Sequence, residues 1–145
     1  MNELGATSSI TIAAPIDEVW KAITTHELIK QRFFGVDTES DCKPGSPLIH
    51  RGEWQGKPYV GKGVILRIEP PMVLVHTHWS DVSGLPDAPE NYQEVTWALS
   101  ERDGLIELMI TERNLPSEDA KAASEDGWKV SLTSLKSRAG ALVVQ

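Results

Sequence analysis

The sequence predicts an α+β domain. An antiparallel sheet of about six to seven strands is covered by a long C-terminal helix, with two short helices after the first strand. Three observations predict it. Between Val36 and Arg113, short stretches of alternating apolar and polar residues are separated by Gly, Pro, Asp and Asn, the pattern of strands and turns. Trp128, Leu132, Leu135 and Ala139 fall at i, i+4, i+7 and i+11, one face of a helix. A meander with one apolar face needs a cover, and this helix is the one available.

The elements follow in order. Ser9-Ile10-Thr11-Ile12-Ala13 alternates as a half-buried strand does. Pro15 suits the start of a helix, Asp17 and Glu18 favour its N-terminal dipole end, and Val19, Trp20 and Ile23 form its apolar stripe. Thr25 reads as the N-cap of a second short helix carrying Leu28, Ile29, Phe33 and Phe34, stopped by Gly35. Val36–Asp41 and Leu48–Glu53 read as strands on either side of the turn Lys43-Pro44-Gly45-Ser46, and Gln55-Gly56-Lys57-Pro58 turns the chain again.

Tyr59–Glu69 is the longest strand. Val60, Val64, Leu66 and Ile68 share one side with Lys62, while Gly61, Gly63 and Arg67 share the other, which reads as one core face and one outer face in that order. Pro70-Pro71 interrupts, and Met72–Trp79 resumes. Ser80–Asn91 is a loop long enough for a lid, with few residues able to bury area, so it is expected to be the most mobile part. Gln93–Ser100 and Leu105–Arg113 flank the hairpin signal Glu101-Arg102-Asp103-Gly104. Val95, Trp97 and Leu99 share a face, as do Ile106, Leu108 and Ile110. Ser117-Glu118-Asp119 caps a helix over Ala120–Arg138, interrupted by Gly127.

Composition narrows the function. The 145 residues make one domain, expected over 1–145 with its core over about 10–138. The net charge of −7 and a pI near 5.0 argue against nucleic acid and anionic membranes. Cys42 is the single cysteine, so no intrachain disulfide forms and a reducing, cytoplasmic setting is expected. The N-terminus lacks the basic and apolar regions of a signal peptide, and no apolar stretch approaches the length of a membrane span. There is no Gly-x-Ser-x-Gly elbow, phosphate-cradling loop or dinucleotide fingerprint. Cys42, beside Asp41 and Lys43, has nothing that clearly favours a thiolate.

Several phrases, in order, resemble a known family. They are Ala14-Pro15-Ile16-Asp17-Glu18-Val19-Trp20-Lys21-Ala22-Ile23-Thr24, then Phe33-Phe34 and Pro44-Gly45, then Gly63-Val64 with Ile68-Glu69-Pro70-Pro71. Leu74-Val75-His76-Thr77 and Gly127-Trp128 with Leu132 and Leu135-Lys136 complete the set. From about Ile10 to Arg138 the chain resembles the START-like (SRPBCC) superfamily, and within it the family of the C-terminal domain of the heat-shock-protein-90 ATPase activator. The resemblance implies a helix-grip fold, a curved sheet wrapped round the last helix with a cavity between them. The superfamily includes lipid carriers, hormone receptors and polyketide cyclases. Where the family has aromatic residues after Leu74, this chain has His76 and His78. The co-chaperone's chaperone contact belongs to an additional N-terminal domain and is not carried over; a stress-related partner role is an alternative only.

The cavity-lining residues expected on this basis are Phe33, Phe34, His76, His78, Trp97, Leu108, Ile110, Glu112, Trp128 and Leu132. The expected ligand is an apolar or aromatic small molecule or a lipid, bound by a monomer or homodimer, with no cofactor. Trp97 and Trp128 fit flat apolar ligands or plain core packing; Trp54 and Trp79 fall near turns, at a mouth or on the surface. His76 and His78, two apart on a strand, point to one face. With His50 or Glu112 they could hold zinc, or they are polar residues of a cavity or of a solvated face; no metal is expected. Glu94 and Glu112, on adjacent strands, suit acid–base work or pairing with Lys62, Arg67 or Arg113. A cyclase- or hydrolase-type enzyme using His76, His78 or Glu112 is therefore the alternative to a binding protein.

Overall fold

The computed structural model describes residues 5–24, 37–41, 43–54, 56–80, 85–115, 117–126 and 128–129. The second short helix expected after Thr25 lies outside these residues, as do Phe33, Phe34, Cys42, Leu132 and Leu135. Within them the chain forms β1 (Ala6–Ile12), α1 (Ile16–Thr24), β2 (Asp37–Glu39), β3 (Pro47–Trp54), β4 (Lys57–Glu69), β5 (Val73–Ser80), β6 (Gln93–Arg102) and β7 (Leu105–Arg113). Residues 118–126 and 128–129 are helical and form the described part of the C-terminal helix, α2. All seven strands lie in one antiparallel sheet of order β1-β7-β6-β5-β4-β3-β2. The first strand closes onto the last, and a curved sheet of this order with a C-terminal helix is the expected helix-grip arrangement.

Local chemistry sets the elements. The carbonyl of Pro15 accepts from the amides of Glu18 and Val19, so α1 begins at Ile16. Its stripe Val19, Trp20 and Ile23 is buried as the sequence predicts. The β6–β7 hairpin turns on Asp103 and Gly104, both at positive φ (55° and 79°), which matches the right-handed twist of the strands it joins. Ser117 caps α2: its hydroxyl accepts from the amide of Ala120 at 3.1 Å and its carbonyl from Lys121 at 3.0 Å.

The core lies on one face of the sheet. It joins Ile12 of β1, Leu74 of β5, Val95, Trp97 and Leu99 of β6, and Ile106, Leu108 and Ile110 of β7 to the α1 stripe. The faces expected for β6 and β7 are therefore correct. Those of β4 are reversed as far as Leu66, while Arg67 and Ile68 fall on the faces expected for them. Gly61, Gly63 and Ile65 are buried, while Val64 and Leu66 are 39% and 49% exposed. Two causes act together. The register slips by one between Ile65 and Arg67, so Ile68 returns to the core side beyond the bulge. And β5 approaches so closely that a Cβ on Gly63 would stand 1.7 Å from the Thr77 carbonyl oxygen. Only glycine fits there, and a glycine carries no hydrophobic signal.

Gly63→Ala should therefore cost about 2–4 kcal/mol in urea unfolding, because backbone, not a side chain, must move. Gly104→Ala, which meets open space and only a positive φ, should cost about 1 kcal/mol.

Candidate functional site

The inward face of the sheet changes character along the strands. At one end, rows of opposed residues are apolar: Ile12 faces Ile106, Ile10 faces Leu108, and Leu108 faces Leu99. In the middle lie Leu74, Trp97 and Ile110, then His76, Val95 and Glu112. At the other end His78 faces Gln93, Gly61 faces both His50 and Ser80, and Tyr59 faces Gly52. His76 and His78 therefore face inward, not toward the solvated side.

His76 is 5% exposed and both ring nitrogens are engaged. The indole Nε1–H of Trp97 reaches its Nε2 at 3.0 Å, and its Nδ1 lies 3.0 Å from the Thr77 carbonyl oxygen. An indole N–H only donates, so Nε2 accepts and the proton sits on Nδ1, donated to Thr77. This holds the imidazole neutral and leaves it no lone pair for a metal. Trp97 also meets Trp128 of α2 edge-to-face, with ring centroids 5.3 Å apart at 90°.

Glu112 is 7% exposed and accepts from the Ser124 hydroxyl and from Trp128, both on α2. Burial pushes its carboxyl above the usual range, and these two donors oppose that shift. His78 is half-buried, and loss of hydration pushes its imidazole down to about 4. Its ring lies against Gly61, where a Cβ would stand 2.8 Å from Cε1, and its centroid is 6.2 Å from that of His50. The fold thus brings His76, Trp97, Ile110, Glu112 and Trp128 together, and sets His78 beside His50. Leu108 is buried one row further into the apolar end.

Other expected groupings do not form. Glu94 faces Arg113, and its neighbour Val95 faces Glu112, so the two carboxylates stand on opposite faces of the sheet. Lys62 pairs with Asp87 and Arg67 with Glu69. No group of three or more metal-ligating side chains occurs among the described residues.

The described part of the loop after β5 makes contacts that the sequence does not announce. Residues 81–84 lie outside the described set, but 85–91 are held by side-chain bonds to the outer face. Trp79 donates to the Leu85 carbonyl at 3.2 Å and stacks on Tyr92 at 6.3 Å, with Lys62 5.5 Å over its ring. The Tyr92 hydroxyl donates to Asp87 at 2.6 Å; desolvation first, then this bond, pushes the phenol up to about 12. Hydrogen bonds from Lys62 and Tyr92 hold the Asp87 carboxyl below its ordinary range. Asn114, at φ 68°, donates to the carbonyls of Glu90 and Tyr92. Sequence reasoning missed this cluster because Lys62 meets Trp79 only through strand register, and Asp87 and Tyr92 join them only through the path of the loop.

The family described as Activator of Hsp90 ATPase homolog 1-like protein matches residues 13–140. No curated protein matches the chain. Among solved structures, the solution structure of ChR145 from Cytophaga hutchinsonii is 38% identical, covers 100% of both chains and has a TM-score of 0.83. The solution structure of the Aha1 dimer from Colwellia psychrerythraea is 19% identical with a TM-score of 0.75, over 94% of this chain and 96% of that one. The crystal structure of CalU16 from Micromonospora echinospora is 24% identical with a TM-score of 0.67, over 92% and 82%. The last two show likeness of fold. No described helix is long and apolar enough to cross a membrane.

The two shifted groups give opposite pH dependences. His78 releases its proton near pH 4 when folded and near 6.5 when unfolded, so the unfolded chain binds more protons in between. Stability should fall by about 2–3 kcal/mol as pH drops from 6.5 to 4, and His78→Gln should flatten that fall. Glu112 has a raised folded pKa, so its contribution is fully present below pH 4.5 and is lost as pH rises through the folded value. Glu112→Gln should gain stability relative to the parent as pH rises from 4.5 to 7.5. Urea unfolding of the three proteins across this range checks both signs.

Proposed function

The chain belongs to the Activator of Hsp90 ATPase homolog 1-like family, and we propose that it is a single small-molecule-binding domain. It holds an apolar or aromatic molecule between the inward face of the sheet and α2. The observation that carries this reading is the placing of His76, His78 and Glu112 among Trp97, Leu108 and Ile110 on one inward face. Packing alone favours an apolar face, because each buried polar group needs a partner, as His76 and Glu112 have. A gradient from apolar to polar along one face is what orients a ligand with an apolar body and a polar end. The walls are Trp97 and Trp128, whose edge-to-face contact gives a rigid aromatic corner. A cytoplasmic setting agrees with the single cysteine.

Acid–base catalysis has less support. His76 has both nitrogens committed, and Glu112 is bound by two donors from α2. A protein-interaction role would run through the outer face, where Val64 and Leu66 are exposed.

Native mass spectrometry of the protein purified from its own host should reveal a retained small molecule, and Nile red should bind saturably, one per chain, in competition with it. Absence of both an adduct and saturable Nile red binding would remove the binding reading in favour of the outer-face role.

A further inference from the structure

The polar end of the inward face carries a specific set of groups. Tyr59, His78, Ser80 and Gln93 come from β4, β5 and β6, and His50 of β3 joins them across Gly61. All five are half-buried, neither sealed in the core nor free in solvent. We propose that this end binds the uncharged hydroxyl of an otherwise apolar ligand, a phenol or an alcohol, and rejects the corresponding carboxylate. The inference rests on the small-molecule-binding reading above and names the ligand class for that site.

Charge is the first argument. Among the described residues the strand cations Arg51, Lys62, Arg67, Arg102 and Arg113 all stand on the outer face by register, and Lys57 is exposed at a hairpin tip. No strand in this set offers a cation to the polar end apart from that tip. Among the described strand residues, only Lys57 at the exposed tip could offer a counter-charge for the hydration a carboxylate would lose on entering. Glu112, on the same face in the row next to that of His78 and Gln93, and the net charge of −7 oppose an anion further.

Hydrogen-bond inventory is the second. Desolvation keeps the His78 imidazole uncharged at neutral pH and keeps the Tyr59 phenol protonated. A neutral imidazole offers one donor and one acceptor; a phenol and a serine hydroxyl offer both; an amide offers both, and Gln93 Nε2 already gives one hydrogen to the Asn91 carbonyl at 3.1 Å. A ligand hydroxyl, itself donor and acceptor, matches such a set in either sense. A carboxylate accepts only, and a hydrocarbon satisfies nothing. The apolar body would lie toward Ile65, Leu74, Val95 and Trp97, the next rows along the face.

The test compares 2-naphthol, 2-naphthoate and 2-methylnaphthalene, which share one ring system and differ in the head, by amide chemical-shift titration at pH 7.5. The expected result is that 2-naphthol binds at least tenfold tighter than either, with shifts at Tyr59, His78 and Gln93. His78→Phe should remove the preference over 2-methylnaphthalene, and His78→Gln, which keeps an uncharged donor and acceptor, should retain it. Equal or tighter binding of 2-naphthoate overturns the proposal, as does a preference unchanged in His78→Phe. Saturable binding of all three without preference overturns the hydroxyl assignment while the binding reading stands. Saturable binding of none overturns both.

Discussion

Trp97 is the residue through which the two layers of the molecule are held together. Its indole N–H holds His76 of the neighbouring strand, and its ring meets the edge of Trp128 on α2. Trp128 in turn donates to Glu112, one strand further on, where Ser124 also binds. One side chain from the centre of β6 thus fixes a tautomer on β5 and the seat of the helix over β7. A buried network of this kind is stabilising only while every member is matched, which makes the geometry unique rather than merely compact.

The same chain of contacts separates two uses of histidine. His76 is consumed by structure: one nitrogen accepts, the other donates, and the ring is sealed. His78, two residues on and facing the same way, is only half-buried, with its ring laid against Gly61. Its place is set by β4, where two glycines on the inner face allow close approach. The bulge after Ile65 then restores the apolar phase at Ile68. The inward face is therefore packed at one end and polar at the other, with the transition at the row of His76 and Glu112.

The outer face is organised by different physics. Lys62, Trp79, Asp87 and Tyr92 combine a charge pair, a cation–π contact, ring stacking and a phenol-to-carboxylate bond. Each of these is modest at a partly exposed site. Together they give the described part of the β5–β6 loop a defined seat. Asn114 ties the same segment to the end of β7, in a left-handed conformation that asparagine tolerates better than most residues.

The sequence by itself determined the order of the described elements, the strands β5 to β7, the inward residues of β6 and β7, the α1 stripe and the cap at Ser117. In each case the signal is local: a period of two or 3.6, a turn at Asp103-Gly104, a hydroxyl three residues before the amide it caps. The quoted phrases also carried the family, because their spacing is set by the fold they build. Only the tertiary structure decided which side of β4 is inside, since Gly61 and Gly63 lack a hydrophobic signal and the bulge resets the phase. It alone decided that Glu94 and Glu112 part to opposite faces, that His76 is spent on Trp97 while His78 is not, and that Lys62 meets Asp87. Those outcomes depend on register between strands, and register is a property of pairs of segments that no single segment encodes.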